Sequence, residues 1–303
     1  MVKLEVEIAG LKFKNPVLNA SGILGLTAST LKRLVEAGVG GVVTKSIGLK
    51  PRVGNPNPTI VEVNCGLLNC MGLPNPGVEE ATKELKEVAG RFKVPLIASI
   101  YGFNVGEYVK VAKNLQDIGV DGLELNCSCP HMEKVRLIGQ NPKLVGKVTK
   151  AVKKSVEIPV FVKLTANVTD IVLTAKAAVE AGADALTLIN TVKGLAVDVN
   201  IEKPILSGTF GGLSGLALKP IALACVYEVY KAKLNIPIIG CGGICHWKDA
   251  VEFFLTGAFL IQVGTGLMVK GFKIFGEILN GLEKHLKRKG YSSVDELVGR
   301  AVK

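Results

Sequence analysis

Short runs of aliphatic residues recur along the chain, separated by longer stretches in which apolar residues return every three or four positions. The runs are "PVLNASG" (16–22), "GVVTKS" (41–46), "PLIASIYG" (95–102), "GLELNCSCP" (122–130), "PVFVKLT" (159–165), "ALTLINT" (185–191), "IPIIGCGG" (236–243) and "FLIQVGTG" (259–266). Most are continuous rather than alternating, the pattern of parallel strands buried on both faces. The spacing between them predicts helices over 27–37, 105–118, 142–155, 169–181, 219–230 and 247–255, with a closing helix over 272–289. Eight strand–helix units in roughly 250 residues predict an α/β fold of the (β/α)8 TIM-barrel type. A doubly wound sheet has no need of so many units. The opening "KLEVEIAGLKFKN" alternates on both sides of Ala9-Gly10, which predicts an N-terminal β-hairpin plugging the barrel floor. The connections 47–94 and 192–218 are rich in Gly, Pro and Asn and far longer than usual. They read as functional loops inserted at the C-terminal face. The whole of 1–303 reads as one domain.

Composition changes this picture little. The hydrophobic content is 48% and aromatics only 5%, so the core must be aliphatic. The formal charge of +11 comes from lysines scattered along the chain, without the basic-plus-aromatic clusters of a nucleic-acid surface. Such a surface favours anionic small molecules, and no nucleic-acid partner is expected. The one membrane-like stretch, 250–269, contains Glu252, Gln262 and three glycines, and reads as a buried helix followed by a buried strand. The chain opens on alternating charges rather than on a secretory signal, and its seven cysteines form no secreted framework. A reducing cytoplasm, with no membrane, is the expectation.

Each run finishes in polar residues or glycine, and in a parallel barrel all these ends share the face that carries the chemistry. The "CGG" and "GTG" turns follow the last two runs. There Gly242, Gly243, Gly264 and Thr265 offer backbone N–H groups suited to a phosphate. One tight turn would look the same; two on consecutive strands carry the reading. Lys45 and Lys163 stand at the ends of apolar runs, where burying an unpaired lysine is costly. With Asn69, Asn126 and Asn190 they make a donor-rich pocket for a carbonyl-rich, anionic ring. The cysteines lack metal-ligand spacing: Cys127 and Cys129 are one residue apart, and the pairs Cys65/Cys70 and Cys241/Cys245 are equally off-pattern. No metal is expected. Cys127 reads as a packed structural thiol. Cys129, just before Pro130 and a polar loop over 132–140 that reads as a lid, suits a general base or acid at a carbon centre. On the residues alone, an aldolase-like barrel using Lys163 as a Schiff base and a non-enzymatic scaffold both remain open.

Taken together, "ELNCSCPH" (124–131), "MGLPNPG" (71–77), "TKS" (44–46), "LINT" (188–191) followed by "GGLSG" (211–215), and "GCGGI" (240–244) resemble the dihydroorotate dehydrogenases. These are FMN barrels of pyrimidine biosynthesis, and the likeness runs through nearly the whole chain. It implies FMN across the mouth. Ala20, Ser21, Gly22, Lys45, Ser46, Asn126, Lys163 and Ile189 would contact the flavin and ribityl, and Gly215, Gly242, Gly243, Gly264 and Thr265 would hold the chain and phosphate. The resemblance also implies dihydroorotate against Lys45, Asn69, Met71, Gly72, Leu73, Asn126, Asn190 and Thr191, with Cys129 as the catalytic base.

The membrane-bound branch of that family uses serine as base and has an amino-terminal helical extension. This chain has cysteine and begins at the hairpin, so it resembles the soluble branch. Within it, Asn190-Thr191 followed by "VKGLAVDV" (192–199) resembles the NAD-linked type B catalytic subunit rather than the fumarate-using type A. Type B implies a homodimer core in a heterotetramer. Electrons would pass to NAD+ through a partner subunit carrying FAD and an iron–sulfur cluster. The chain itself has neither a cluster motif nor a G-x-G-x-x-G fingerprint after a strand. It departs from the family at His131, where most members have asparagine. The dihydropyrimidine dehydrogenases have "SCPH" there and are the runner-up.

Overall fold

The computed structural model describes residues 2–127 and 138–303. Eight parallel strands lie one inside each of the eight apolar runs: β1 (Val17–Asn19), β2 (Val42–Val43), β3 (Leu96–Ile100), β4 (Gly122–Asn126), β5 (Val160–Leu164), β6 (Ala185–Leu188), β7 (Ile238–Cys241) and β8 (Leu260–Val263). They pair in the order β2-β3-β4-β5-β6-β7-β8-β1. Every residue of β3, β4 and β5 is buried, because one face points into the barrel and the other is covered by helices. That is why these runs do not alternate.

Among the described residues the helices include α1 (Ala28–Glu36), α2 (Val78–Leu85), α3 (Val105–Gln116), α4 (Pro142–Lys153), α5 (Ile171–Glu180), α6 (Lys219–Lys231), α7 (Trp247–Thr256), α8 (Thr265–Lys270) and α9 (Lys273–Lys289). Thr27, Asn104, Asn141 and Asp170 cap α1, α3, α4 and α5 by accepting from first-turn N–H groups. None of the helices among the described residues is long and apolar enough to cross a membrane.

The barrel closes between β1 and β2 with little backbone pairing. Gly40 N–H donates to Val17 O at 2.7 Å, and the buried Asn19 side chain supplies the rest. Its Nδ2 donates to Val43 O at 2.7 Å, and its Oδ1 accepts from Val43 N–H at 2.9 Å. One amide thus does the work of a missing ladder pair. Asn19→Ala is expected to leave both Val43 groups unpaired in a dry interior, at about 1–3 kcal/mol each. A lowered midpoint in denaturant unfolding checks this; an unchanged midpoint would show that the seam holds without the side chain.

The opening hairpin pairs Val6–Ile8 with Leu11–Phe13, turning through Ala9 and Gly10 at positive φ. Phe13 packs so closely on Gly41, at the amino end of β2, that a β-carbon there would lie 2.8 Å from its ring. Leu11 reaches the start of β4, its Cδ1 3.5 Å from where a β-carbon on Gly122 would lie. The hairpin therefore covers the amino-terminal floor, and the carboxyl ends of the strands stay open.

The two long insertions are not loops. The first contains strands Ile60–Val63 and Gly66–Asn69 together with α2, and the second contains strands Val192–Gly194 and Gly211–Ser214. These four strands form one antiparallel sheet, in which Gly211–Ser214 pairs with both Val192–Gly194 and Gly66–Asn69. Segments far apart in sequence thus build a single wall above the barrel mouth.

Candidate active site

A cavity of about 480 Å3 opens at the carboxyl ends of the strands, within the size range of small-molecule sites. Every described residue expected to bind cofactor or substrate lines it. Ala20, Ser21 and Gly22 follow β1; Lys45 and Ser46 follow β2; Asn126 ends β4; Lys163 stands in β5. Ile189, Asn190 and Thr191 follow β6, Gly242 and Gly243 follow β7, and Gly264 and Thr265 follow β8. Asn69, Met71, Gly72 and Leu73 come from the first insertion and Gly215 from the second. Cys129 and His131 lie outside the described residues, as does most of the expected lid; its last residues, 138–140, are helical.

Lys163 is buried in the cavity floor. Its Nζ donates to Gln262 Oε1 at 2.8 Å and sits 3.6 Å from Glu124 Oε1. Burial opposes its charge, but the neighbouring Cys241 and Glu124 outweigh that, and its pKa stands above the usual lysine value. Burial pushes the Cys241 thiol up in turn. A lysine held charged is a poor Schiff-base nucleophile, which needs the free amine. The aldolase-like alternative is therefore disfavoured. Lys45 differs: burial alone acts on it and lowers its pKa, and it stands ready for an anionic partner.

A string of side-chain hydrogen bonds crosses the site. Ser46 Oγ lies 3.3 Å from Ser21 Oγ and 2.9 Å from Ser99 Oγ, and accepts from Asn126 Nδ2 at 3.0 Å. Asn126 Oδ1 accepts from Asn190 Nδ2 at 3.1 Å, and Asn190 Oδ1 accepts from Thr191 N–H at 2.7 Å. These bonds fix which end of each amide faces the cavity before any ligand arrives.

The turns around Gly215, Gly242 and Gly243 admit no side chain. All three have positive φ, and a β-carbon on Gly243 would lie 2.7 Å from Lys219 Cβ and 2.9 Å from Gly215 O. Among the described residues, the N–H groups of Gly243, Gly264 and Thr265 have no backbone acceptor. Bare backbone with donors to spare is the construction that binds phosphate. On the opposite side, Asn75 organises the turn that carries Met71, Gly72 and Leu73. Its Oδ1 accepts from Gly48 N–H at 3.1 Å and Gly77 N–H at 2.9 Å, while its Nδ2 donates to Leu73 O at 2.9 Å and Tyr101 Oη at 2.8 Å.

Cys127 is fully buried, and burial pushes its thiol up to about 12. It is a packed thiol. Glu124, Gln262 and Asn75 were not among the residues expected at the site. The first two left a signal, since a polar residue inside a continuous apolar run points into the barrel; Asn75, in a Pro-rich loop, left none.

The dihydroorotate dehydrogenase family model matches residues 3–286. A protein of Pyrococcus furiosus named dihydroorotate dehydrogenase B (NAD(+)), catalytic subunit, is 48% identical over 303 residues, covering 100% of both chains. Proteins of the same name from Methanocaldococcus jannaschii and Methanothermobacter thermautotrophicus are 49% and 48% identical, each covering 98% of both chains.

Proposed function

The chain belongs to the dihydroorotate dehydrogenase family, and from that premise we propose that it is a single-domain, FMN-dependent enzyme oxidising dihydroorotate to orotate in pyrimidine biosynthesis. The observation that carries the proposal is the one cavity that gathers every described candidate residue at the carboxyl ends of the strands. Its glycine cradle has the bare backbone a phosphate needs, and its volume of about 480 Å3 suits a flavin's reactive end with a small ring.

Gly215, Gly242, Gly243, Gly264 and Thr265 would hold the FMN phosphate. Ala20, Ser21, Gly22, Ser46, Ile189 and Lys163 would border the flavin. When bound, FMN supplies the hydride acceptor. Lys45 would meet the substrate carboxylate, and its burial makes that pairing worth more than in water. Asn69, Asn126, Asn190 and Thr191 would bind the ring carbonyls and N–H groups, with Met71, Gly72 and Leu73 forming its wall. Cys129 would take the proton alpha to the ring carbonyl.

The relatives' shared name, a catalytic subunit linked to NAD(+), supports a partner. We propose a homodimer of this chain, in the cytoplasm, assembled with an electron-transfer subunit carrying FAD and an iron–sulfur cluster. The protein is expected to purify yellow and release FMN on denaturation. Alone it should reduce artificial acceptors but NAD+ poorly, and NAD+ activity should appear on adding the partner. A colourless protein that cannot take up FMN would overturn the proposal. Rapid turnover with fumarate would replace the partner by the type A route.

A further inference from the structure

Glu124 touches no ligand position, yet it is wholly buried in the barrel beneath the cavity floor. Its Oε2 accepts from Thr187 Oγ1 at 3.0 Å and from Gln262 Nε2 at 2.5 Å. Its Oε1 has no hydrogen-bond partner among the described residues and faces Lys163 Nζ at 3.6 Å. Gln262, turned by its bond to Glu124, presents Oε1 to the same ammonium at 2.8 Å. One oxygen is thus pinned by hydrogen bonds and the other is left as bare charge under the lysine. Burying a carboxylate so deeply costs several kcal/mol unless an opposite charge is close. A neutral polar residue would serve a purely structural role at Thr187 and Gln262 without that cost.

We propose that Glu124 is a positioning residue for Lys163, holding the ammonium charged and in place at the cavity floor. The inference rests on the flavin reading of the cavity, because a fixed cation there is what would stabilise the negative charge that a flavin ring gains on reduction. Four elements pack against Lys163. Glu124 on β4 and the Cys241 thiol on β7 are the titrating groups, while Thr187 on β6 and Gln262 on β8 do not titrate; Lys45 borders the same cavity from the β2 side. Of these, Glu124 is the one that forms an ion pair with Lys163, at 3.6 Å.

The test is Glu124→Gln in the full chain. The substitution keeps the shape and both hydrogen bonds at Oε2 but removes the charge. Lysine labelled with 13C at the ε-carbon reports the protonation of Lys163 by NMR, the signal being assigned by its loss in Glu124→Gln/Lys163→Met. In the wild type the ammonium is expected to persist into the ordinary lysine range or above. In Glu124→Gln the pKa is expected to fall by at least one unit, a tenfold loss of proton affinity. An identical titration in the two proteins would overturn the inference. Should Glu124→Gln fold poorly, the double variant, which carries neither charge, is expected to be the more stable; a double variant no more stable than the single would also overturn it. In FMN-loaded protein, the Glu124→Gln flavin should become harder to reduce from neutral to alkaline pH by more than the wild-type flavin does. If the wild type takes up no FMN, the flavin reading fails, and the lysine titration still decides the role of Glu124.

Discussion

Replacing Cys129 by alanine is expected to cut turnover about 10²–10⁴-fold, the usual contribution of a positioned general base, while FMN stays bound. The proton to be removed lies alpha to a ring carbonyl and is acidified by it, so a thiolate is strong enough to take it. The nearest rival in sequence is Cys127, and it is unsuited: it is fully buried, with its thiol pushed up to about 12. Cys129→Ser should keep weak activity with its profile moved to higher pH, because a hydroxyl ionises far above a thiol. Steady-state rates with an artificial acceptor across pH check both variants. Full turnover in Cys129→Ala would place the base elsewhere.

Lys163→Met is expected to destabilise the protein by about 3–5 kcal/mol, the cost of leaving one partner of a buried ion pair uncompensated. Glu124 would lose its buried ion-pair partner, and Gln262 Oε1 would lose its donor. The affinity for FMN should fall with it, as the cavity floor loses its cation. Denaturant unfolding of the flavin-free protein and fluorescence titration with FMN measure the two effects separately. The pH dependence has a definite sign. Because the folded-state pKa of Lys163 is raised, its stabilisation is complete below the ordinary lysine range and is lost only as pH rises through the raised value. Wild-type stability should therefore not drop on this account near neutral pH. Equal stability of the variant and the wild type would mean that the Lys163–Glu124 pair contributes nothing to the fold.

The barrel was legible because its strands are buried on both faces. That leaves unbroken apolar runs such as "PLIASIYG", and the strand Leu96–Ile100 lies inside that run with every residue buried. Some helix starts were equally readable, as at Pro142. The insertions were not. Helix α2 shows apolar spacing in Val78, Ala81 and Leu85 with Glu79 and Glu80 in its first turn, but flanking Gly and Pro made the whole segment read as loop. The sheet above the mouth joins Leu67 to Ser214, a pairing across more than a hundred residues that no local pattern encodes. At the site, lysines and asparagines at strand ends stand out because burial makes them expensive. The partners that orient them, Glu124, Gln262 and Asn75, depend on distances that only the closed barrel defines.

Anaerobic reduction of the bound flavin identifies the compound oxidised at this cavity. Lys45, with burial acting on it and an anionic partner to gain, favours a ring that carries a carboxylate. Dihydroorotate should therefore bleach the flavin absorbance of the purified protein much faster than dihydrouracil, which has the same ring without that group. Faster bleaching by dihydrouracil, or none with dihydroorotate, would contradict the account.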